Sequence, residues 1–220
     1  PFEIFGIPAA TVFSLLAERP KKMGALVGTL LEIARGHNIT VDDFFYATLR
    51  SYLDMHQNYF PSIEEKVDQF REQSQIDISK PVIELYESLK LHLAKRFYVD
   101  TVESDFLRDH AALAKLQYFT KADPSGRWKL FINTRLSSKE KCFIVTRELG
   151  AQYMRIKNRP LISLVKNLDS FDQLFNHYSI NYFATAFLVP KEGFSTSLRQ
   201  IFSQPKWNQT EFLTVVQSYP

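Results

Sequence analysis

Apolar residues recur every three or four positions through much of the chain, which is the spacing of helices with one buried face. Over the first part of the chain this pattern predicts helices at residues 7–16, 23–35, 41–57, 61–71 and 79–96. Thr40 and Asp43 have the spacing of a capping box at the start of the third helix. Pro61 suits the first turn of the fourth helix, because its missing N–H is not needed there.

The pattern changes near residue 97, where short stretches rich in β-branched and aromatic residues begin. Three strands are predicted, at residues 97–102, 116–120 and 128–133. The sequence ADPSG at residues 122–126 predicts a tight turn that joins the last two strands into a hairpin. The sequence therefore predicts a small antiparallel sheet of about three strands.

Helical spacing returns after the hairpin and continues to the end of the chain. Long helices are predicted over residues 138–154 and 170–188, with two short helices in the tail. The predicted fold class is therefore α+β and mainly helical. The predicted domains are a helical linker or dimerisation segment at residues 1–75 and a second domain at residues 76–220.

Composition narrows the class of protein. Hydrophobic residues make up 45% and aromatic residues 14% of the 220 residues, so the chain can bury a core and a disordered protein is excluded. The single cysteine, Cys142, excludes a disulfide scaffold and indicates a reducing compartment, so cytoplasmic location is expected. No apolar stretch approaches the roughly 18 residues that cross a membrane, so no membrane partner is expected.

Charge and motifs exclude further classes. The net charge is +3, but the lysines and arginines do not form a dense basic stripe, so this chain alone is not expected to bind DNA. The chain has no P-loop, no G-x-G-x-x-G and no G-x-S-x-G. The five histidines include no H-x-x-H or H-x-x-x-H pair, and a lone histidine is usually structural. His177 is singled out for its place on the last long helix.

Two separated blocks carry a resemblance. Residues 143–154 read FIVTRELGAQYM and residues 180–190 read INYFATAFLVP. These blocks resemble the ImmA/IrrE type of zincin-like proteins, which carry F-T-x-x-H-E-x-G-H and later A-N-x-F-A-x-x-L-x-x-P. The resemblance covers about residues 80–192 and implies a zincin-like core around the small sheet.

The departures from the family motif concern its zinc ligands. Histidines at i and i+4 on one helix face bind zinc together, but the matching positions here hold Arg147 and Ala151. The third family ligand is acidic, yet residues 176–180 contain no carboxylate, and only Glu148 of the motif is retained. We therefore expect no metal, no cofactor and no peptidase activity, that is, a pseudo-peptidase. The alternative is an active zinc metallopeptidase of the ImmA/IrrE type that cleaves a repressor.

The altered motif is also the candidate ligand site. A guanidinium suits bidentate contact with a carboxylate or phosphate, so the expected ligand is a small anionic metabolite. The predicted ligand-binding residues are Arg147, Glu148, Ala151, Gln152, Tyr178, Asn181 and Tyr182. The alternative is that Arg147 pairs with a nearby carboxylate and that aromatic side chains fill the groove.

A second resemblance lies in the N-terminal part. Residues 6–20 resemble the linker of bacterial regulators in which an XRE-type helix-turn-helix precedes an ImmA/IrrE-like domain, and residues 51–65 resemble the short-chain fatty-acyl group. This implies a ligand-sensing regulatory domain whose ligand is a fatty acyl or acyl-CoA species. It also implies a homodimer that contacts DNA only through a helix-turn-helix upstream of Pro1. The alternative is a structural oligomerisation module.

Overall fold

The computed structural model describes residues 36–109, 113 and 115–219, together with residues 24, 28, 29, 32 and 33. The helix predicted at residues 7–16 lies outside the described residues. Of the helix predicted at residues 23–35, the five described residues are helical. Within the described part of the chain, no helix is both long and apolar enough to cross a membrane.

The described residues form two compact units. The first contains those up to Tyr59 and the segment Lys166–Phe171. Its main helix is α1 (Val41–Met55), and the predicted capping box between Thr40 and Asp43 is present. Asp42 in the first turn accepts hydrogen bonds from the backbone N–H groups of residues 167 and 168, at 2.8 and 3.0 Å. The domain boundary predicted after residue 75 stays a prediction.

The second unit contains Phe60–Val165 and residues from Asp172 onward. Its helices and strands follow the predicted order, and Pro61 opens its first helix as predicted. The elements in chain order are α2 (Pro61–Ser74), α3 (Val82–Phe97), β1 (Val99–Ser104), α4 (Phe106–Asp109), β2 (Tyr118–Ala122), β3 (Trp128–Asn133), α5 (Ser138–Tyr153), α6 (Phe171–Leu188), α7 (Lys191–Phe202) and α8 (Gln209–Gln217). The two short helices predicted in the tail are therefore confirmed.

The sheet is mixed, so the prediction of a purely antiparallel sheet was wrong. Its strand order is β1-β3-β2, with β2 antiparallel to β3 and β1 parallel to β3. The predicted hairpin is present, and Asp123 accepts hydrogen bonds from the backbone N–H groups of Ser125 and Arg127 in its turn. The segment between Ser104 and Tyr118 is long enough for the chain to pass from one edge of the sheet to the other. β1 and β2 therefore lie on opposite edges of β3 and do not pair with each other.

Helix α5 is the central element of the second unit. Every residue from 144 to 151 is buried, so the helix is enclosed on all sides rather than on one face. Gly150 allows α6 to approach closely, because a Cβ at this position would lie 2.5 Å from Cδ1 of Phe183. The motif residues therefore lie in the protein interior, between the sheet and α6.

Candidate functional site

Arg147 is buried between the sheet and α6, with only 6% of its surface exposed. Its Nε donates a hydrogen bond to Oδ1 of Asn181, and its Nη2 lies 3.3 Å from Nδ1 of His177. Its guanidinium carbon lies 4.7 Å from the centre of the Tyr118 ring, in a cation–π contact. The charged group is thus held by neutral partners from β2 and α6, and it joins α5 to α6.

The surroundings of Arg147 shift the protonation of its neighbours. Burial lowers the pKa of Arg147 itself, while Tyr118 acts in the opposite direction. Burial also lowers the pKa of His177 to about 4, and the positive charges of Arg147 and Arg159 add to this effect. His177 is therefore neutral at pH 7, and its Nδ1 can accept a hydrogen bond from Arg147.

Glu148 forms a buried ion pair with Arg159, from the loop after α5. Nη2 of Arg159 lies 2.6 Å from Oε1 and 2.8 Å from Oε2 of Glu148, and the side chains are only 7% and 3% exposed. Gln152 donates a further hydrogen bond to Oε1 at 2.8 Å, and the Thr120 hydroxyl lies 3.4 Å from Oε2. These protein groups satisfy the negative charge of Glu148 in the interior.

The buried cluster carries an excess of positive charge. Arg147 and Arg159 are two cations, Glu148 is one anion, and His177 is neutral, so one positive charge remains. No carboxylate of the described residues forms a hydrogen bond or ion pair with Arg147. Glu148 is ion-paired with Arg159, and its charge also favours the protonated form of Arg147, which packs against the Tyr118 ring.

The donors at this position do not fit zinc. A guanidinium has no lone pair to offer a metal, and the side chain of Ala151 has no donor atom. The Arg147 guanidinium also bonds to Asn181 and His177, the polar groups that α6 brings to this place. Within the described ranges, no three His, Cys, Asp or Glu side chains lie close enough to share a metal ion.

The edge of β2 that does not pair with β3 bonds to residues 161–163 of the same chain. The backbone N–H of Thr120 donates to the carbonyl of Leu161 at 2.7 Å, and that of Ser163 donates to the carbonyl of Tyr118 at 3.0 Å. Phe119 and Ile162 form an antiparallel bridge at the same edge. An extended peptide could not pair with this edge next to Glu148 unless residues 161–163 moved away.

A cavity of about 410 Å³ opens on the other side of Ala151 and Gln152. We call it the first cavity; it is lined by Trp128, Ala151, Gln152, Arg155, Ile156, Lys157, Arg159 and Leu161. Three of these residues are cations, four are apolar, and none is acidic. Its chemistry therefore suits a small ligand that has both an apolar part and a negative charge.

The structure brings together only some of the predicted site residues. Arg147 contacts Asn181, while Ala151 and Gln152 line the first cavity. Tyr178 and Tyr182 lie elsewhere: both rings pack against Phe60, with ring centres 5.7 and 5.6 Å apart. The hydroxyl of Tyr182 donates to Glu64 on α2 at 2.6 Å, so its described contacts lead away from Arg147.

Sequence reasoning missed Tyr118 and Arg159, and it gave His177 no place in the predicted site. Arg159 could have been found, because a glutamate on a buried helix needs a cation. Arg155, Lys157 and Arg159 follow the helix at alternate positions. Tyr118 had no comparable signal, since it is one of 10 tyrosines and its strand is short.

Comparisons with known proteins relate this chain to solved structures and to a family model. A solved structure described as a "Mycobacterium tuberculosis transcriptional regulator" is 17% identical, with a TM-score of 0.48, and the comparison covers 71% of this chain and 44% of that chain. This chain thus spans less than half of that protein's length. A search of curated protein sequences gave no match. The family model of the IrrE N-terminal-like domain, Peptidase_M78, matches residues 94–207. Because this match covers more than half of the chain and includes both motif blocks, the chain belongs to the IrrE N-terminal-like (Peptidase_M78) family.

Proposed function

We propose that this chain is a ligand-sensing regulatory domain of a bacterial transcription regulator, built on a peptidase-like fold that has no zinc site. Its ligand is a small anionic metabolite with an apolar part, such as a short fatty acid or its acyl-CoA ester. In this proposal DNA is contacted by a helix-turn-helix outside this chain, and the regulator is a homodimer. Glu148 has a structural rather than a catalytic role.

The first cavity is the observation that carries the proposal. Arg155 and Lys157 are exposed cations that form no ion pair with another described residue, so both can meet an anion. Trp128, Ile156 and Leu161 offer an apolar surface beside them. Charge-assisted hydrogen bonds would hold the negative group, and burial would favour the hydrocarbon part.

The cavity is also connected to the buried charges. Arg159 lines the cavity and is the ion-pair partner of Glu148, while Gln152 lines it and donates to the same carboxylate. An anion in the cavity competes with Glu148 for Arg159 and so changes the balance of charge on α5. Such a ligand alters the conformation only as far as it binds two states with different affinity.

Tryptophan fluorescence tests this proposal, because the two tryptophans are separable. Trp128 lines the first cavity, whereas Trp207 lies in the tail between α7 and α8. In a Trp207→Phe variant, titration with hexanoate or hexanoyl-CoA should change the Trp128 emission in a saturable way. Hexanamide, which has the same apolar chain and no charge, should bind at least tenfold more weakly, since a charged hydrogen bond contributes about 1.5–3 kcal/mol.

A charge variant and its matched control complete the test. Lys157→Gln removes a cation from the cavity, and Lys121→Gln removes an exposed one from β2, outside the cavity lining. The first should weaken hexanoate binding severalfold, and the second should leave it unchanged. No saturable signal with either acyl probe would contradict the proposed ligand class.

Metal analysis of the purified protein addresses the metallopeptidase alternative. The donor set predicts no zinc that remains bound through dialysis against a mild chelator. One tightly bound zinc per chain, together with cleavage of a peptide that stops in a Glu148→Gln variant, would replace the sensing proposal with catalysis.

A further inference from the structure

A second, larger cavity lies at the C-terminal end of α5, next to the first cavity. Its volume is about 660 Å³, and α2, α3 and the end of α5 enclose it. We call it the second cavity; its lining residues are Phe70, Gln73, His92, Arg96, Phe97, Gln152, Tyr153 and Arg155. No acidic side chain is among these described residues, whereas two guanidinium groups and four neutral polar side chains are.

Two arginines line the second cavity. Neither Arg96 nor Arg155 forms a hydrogen bond or an ion pair with its side chain to any other residue that the structure describes. Arg96 lies in the last turn of α3, and Arg155 follows the end of α5, so two different elements bring these cations to one cavity. Two unpaired guanidinium groups beside neutral donors are suited to an anion with several oxygens.

The backbone at Arg155 has a left-handed conformation. Helix α5 ends in a Schellman motif: the N–H of Ile156 bonds to the carbonyl of Ala151 at 2.9 Å, and the N–H of Arg155 bonds to that of Gln152 at 3.1 Å. Arg155 has φ 57°, at the position where this motif usually has glycine. Gln75 and Tyr98 take the same left-handed conformation at the ends of α2 and α3, so this backbone belongs to the helix end, and glycine is a suitable replacement for Arg155.

We propose that the second cavity binds a phosphate-type anion, either free phosphate or the phosphate group of a phosphorylated metabolite. Arg96 and Arg155 contact the anion from two sides. Gln73 and His92 supply neutral donors, since burial and the charge of Arg96 lower the pKa of His92 and keep its ring neutral at pH 7. The acyl ligand of the proposed function would occupy the first cavity, which shares Gln152 and Arg155 with this one, whereas Arg96 and His92 belong to the second cavity alone.

The test is titration of the purified chain with inorganic phosphate and with glycerol 3-phosphate, followed by calorimetry and thermal unfolding. Glycerol and sodium chloride at matched ionic strength are the controls for the organic part and for screening. The expected result is saturable binding of at least one phosphate probe below 10 mM. Tighter binding of glycerol 3-phosphate indicates a phosphorylated metabolite, and equal binding of both indicates free phosphate.

The variants are chosen so that loss of binding is not confused with loss of folding. Arg155→Gly relieves the strained backbone, so its melting temperature should equal or exceed that of the parent while phosphate affinity falls at least tenfold. Arg96→Gln should also weaken binding at least tenfold. Arg108→Gln is the matched control, because Arg108 is exposed and also lies in the last turn of a helix, and its variant should bind normally.

The outcomes separate the two proposals. Lys157→Gln should leave phosphate binding intact, and Arg96→Gln should leave hexanoate binding in the first cavity intact. Absence of saturable phosphate binding at 10 mM overturns the inference, as does binding that both Arg96→Gln and Arg155→Gly leave unchanged. In those cases the two arginines serve only to balance the negative ends of the helix dipoles.

Discussion

The ion pair between Glu148 and Arg159 allows a quantitative test of how the interior is held together. Breaking a buried pair by removing one partner costs about 3–5 kcal/mol, because the remaining charge stays buried without its partner. The two single variants should nevertheless differ. Arg159→Met leaves Glu148 and Arg147, one charge of each sign, whereas Glu148→Gln leaves the two arginines with no anion.

The structure therefore predicts an order of stability. Glu148→Gln should cost about 5 kcal/mol and Arg159→Met about 3 kcal/mol, at the two ends of the range for a broken buried pair. The double variant returns to one unpaired cation, as in the parent, and should cost only about 1–2 kcal/mol for the lost hydrogen bonds. The two single costs together exceed the cost of the double variant by at least about 5 kcal/mol, and this difference is the coupling free energy that the double-mutant cycle should give.

Urea unfolding followed by circular dichroism at 222 nm measures these free energies, with the m-values checking that unfolding stays two-state. Arg135→Met is the matched control, because the Arg135–Asp105 pair is solvent-exposed, with side chains 56% and 35% accessible. Its loss should cost less than about 1 kcal/mol. The reasoning is refuted if Glu148→Gln is no more destabilising than Arg159→Met, or if the two single effects simply add.

Three further predictions concern α5 and α6. Burial lowers the pKa of His177 to about 4 in the folded protein, whereas the unfolded chain binds this proton at higher pH. The free energy of unfolding should therefore fall by about 3 kcal/mol from pH 6.5 to 4. In a His177→Asn variant the melting temperature should depend less on pH over this range. A pH dependence that this variant leaves unchanged would contradict the role of His177. Gly150→Ala should cost about 1–3 kcal/mol by chemical denaturation, because its Cβ would meet Phe183, whereas Gly193→Ala, with nothing closer than 3.5 Å, should be tolerated. Arg147→Met should cost about 1–3 kcal/mol in urea, from the partners it leaves unpaired on α6, and a stabilised variant would contradict that assignment.

Local patterns were sufficient for the elements whose causes are local. The capping box at Thr40, the proline at the start of α2 and the hairpin turn at Asp123 each depend on residues a few positions apart, and all three are present. The mixed sheet was missed because the partner of β1 lies beyond β2 in sequence. Neither β-propensity nor alternation contains information about which strand becomes the neighbour.

From the sequence, only positions within or next to the two motif blocks could be assigned to the candidate site. The two motif blocks assigned Arg147 and Asn181 to one predicted ligand site, and the structure has their side chains in contact, while ligand binding by them stays a prediction. The placement of Tyr178 and Tyr182 could not be derived, because α6 has apolar residues on several sides and its periodicity does not select one face. Arg159 lies on a loop, where no periodicity exists to assign its direction.

The Arg147 guanidinium has a consequence for how this domain can be controlled. A zinc ion between two helices has a dissociation constant, so metal supply or a chelator can remove it and loosen the helices. The cation that joins α5 to α6 here is covalently attached to the chain and has no free form. This contact is therefore made at every metal concentration once the chain has folded. A domain of this kind keeps this contact between its helices through metal starvation.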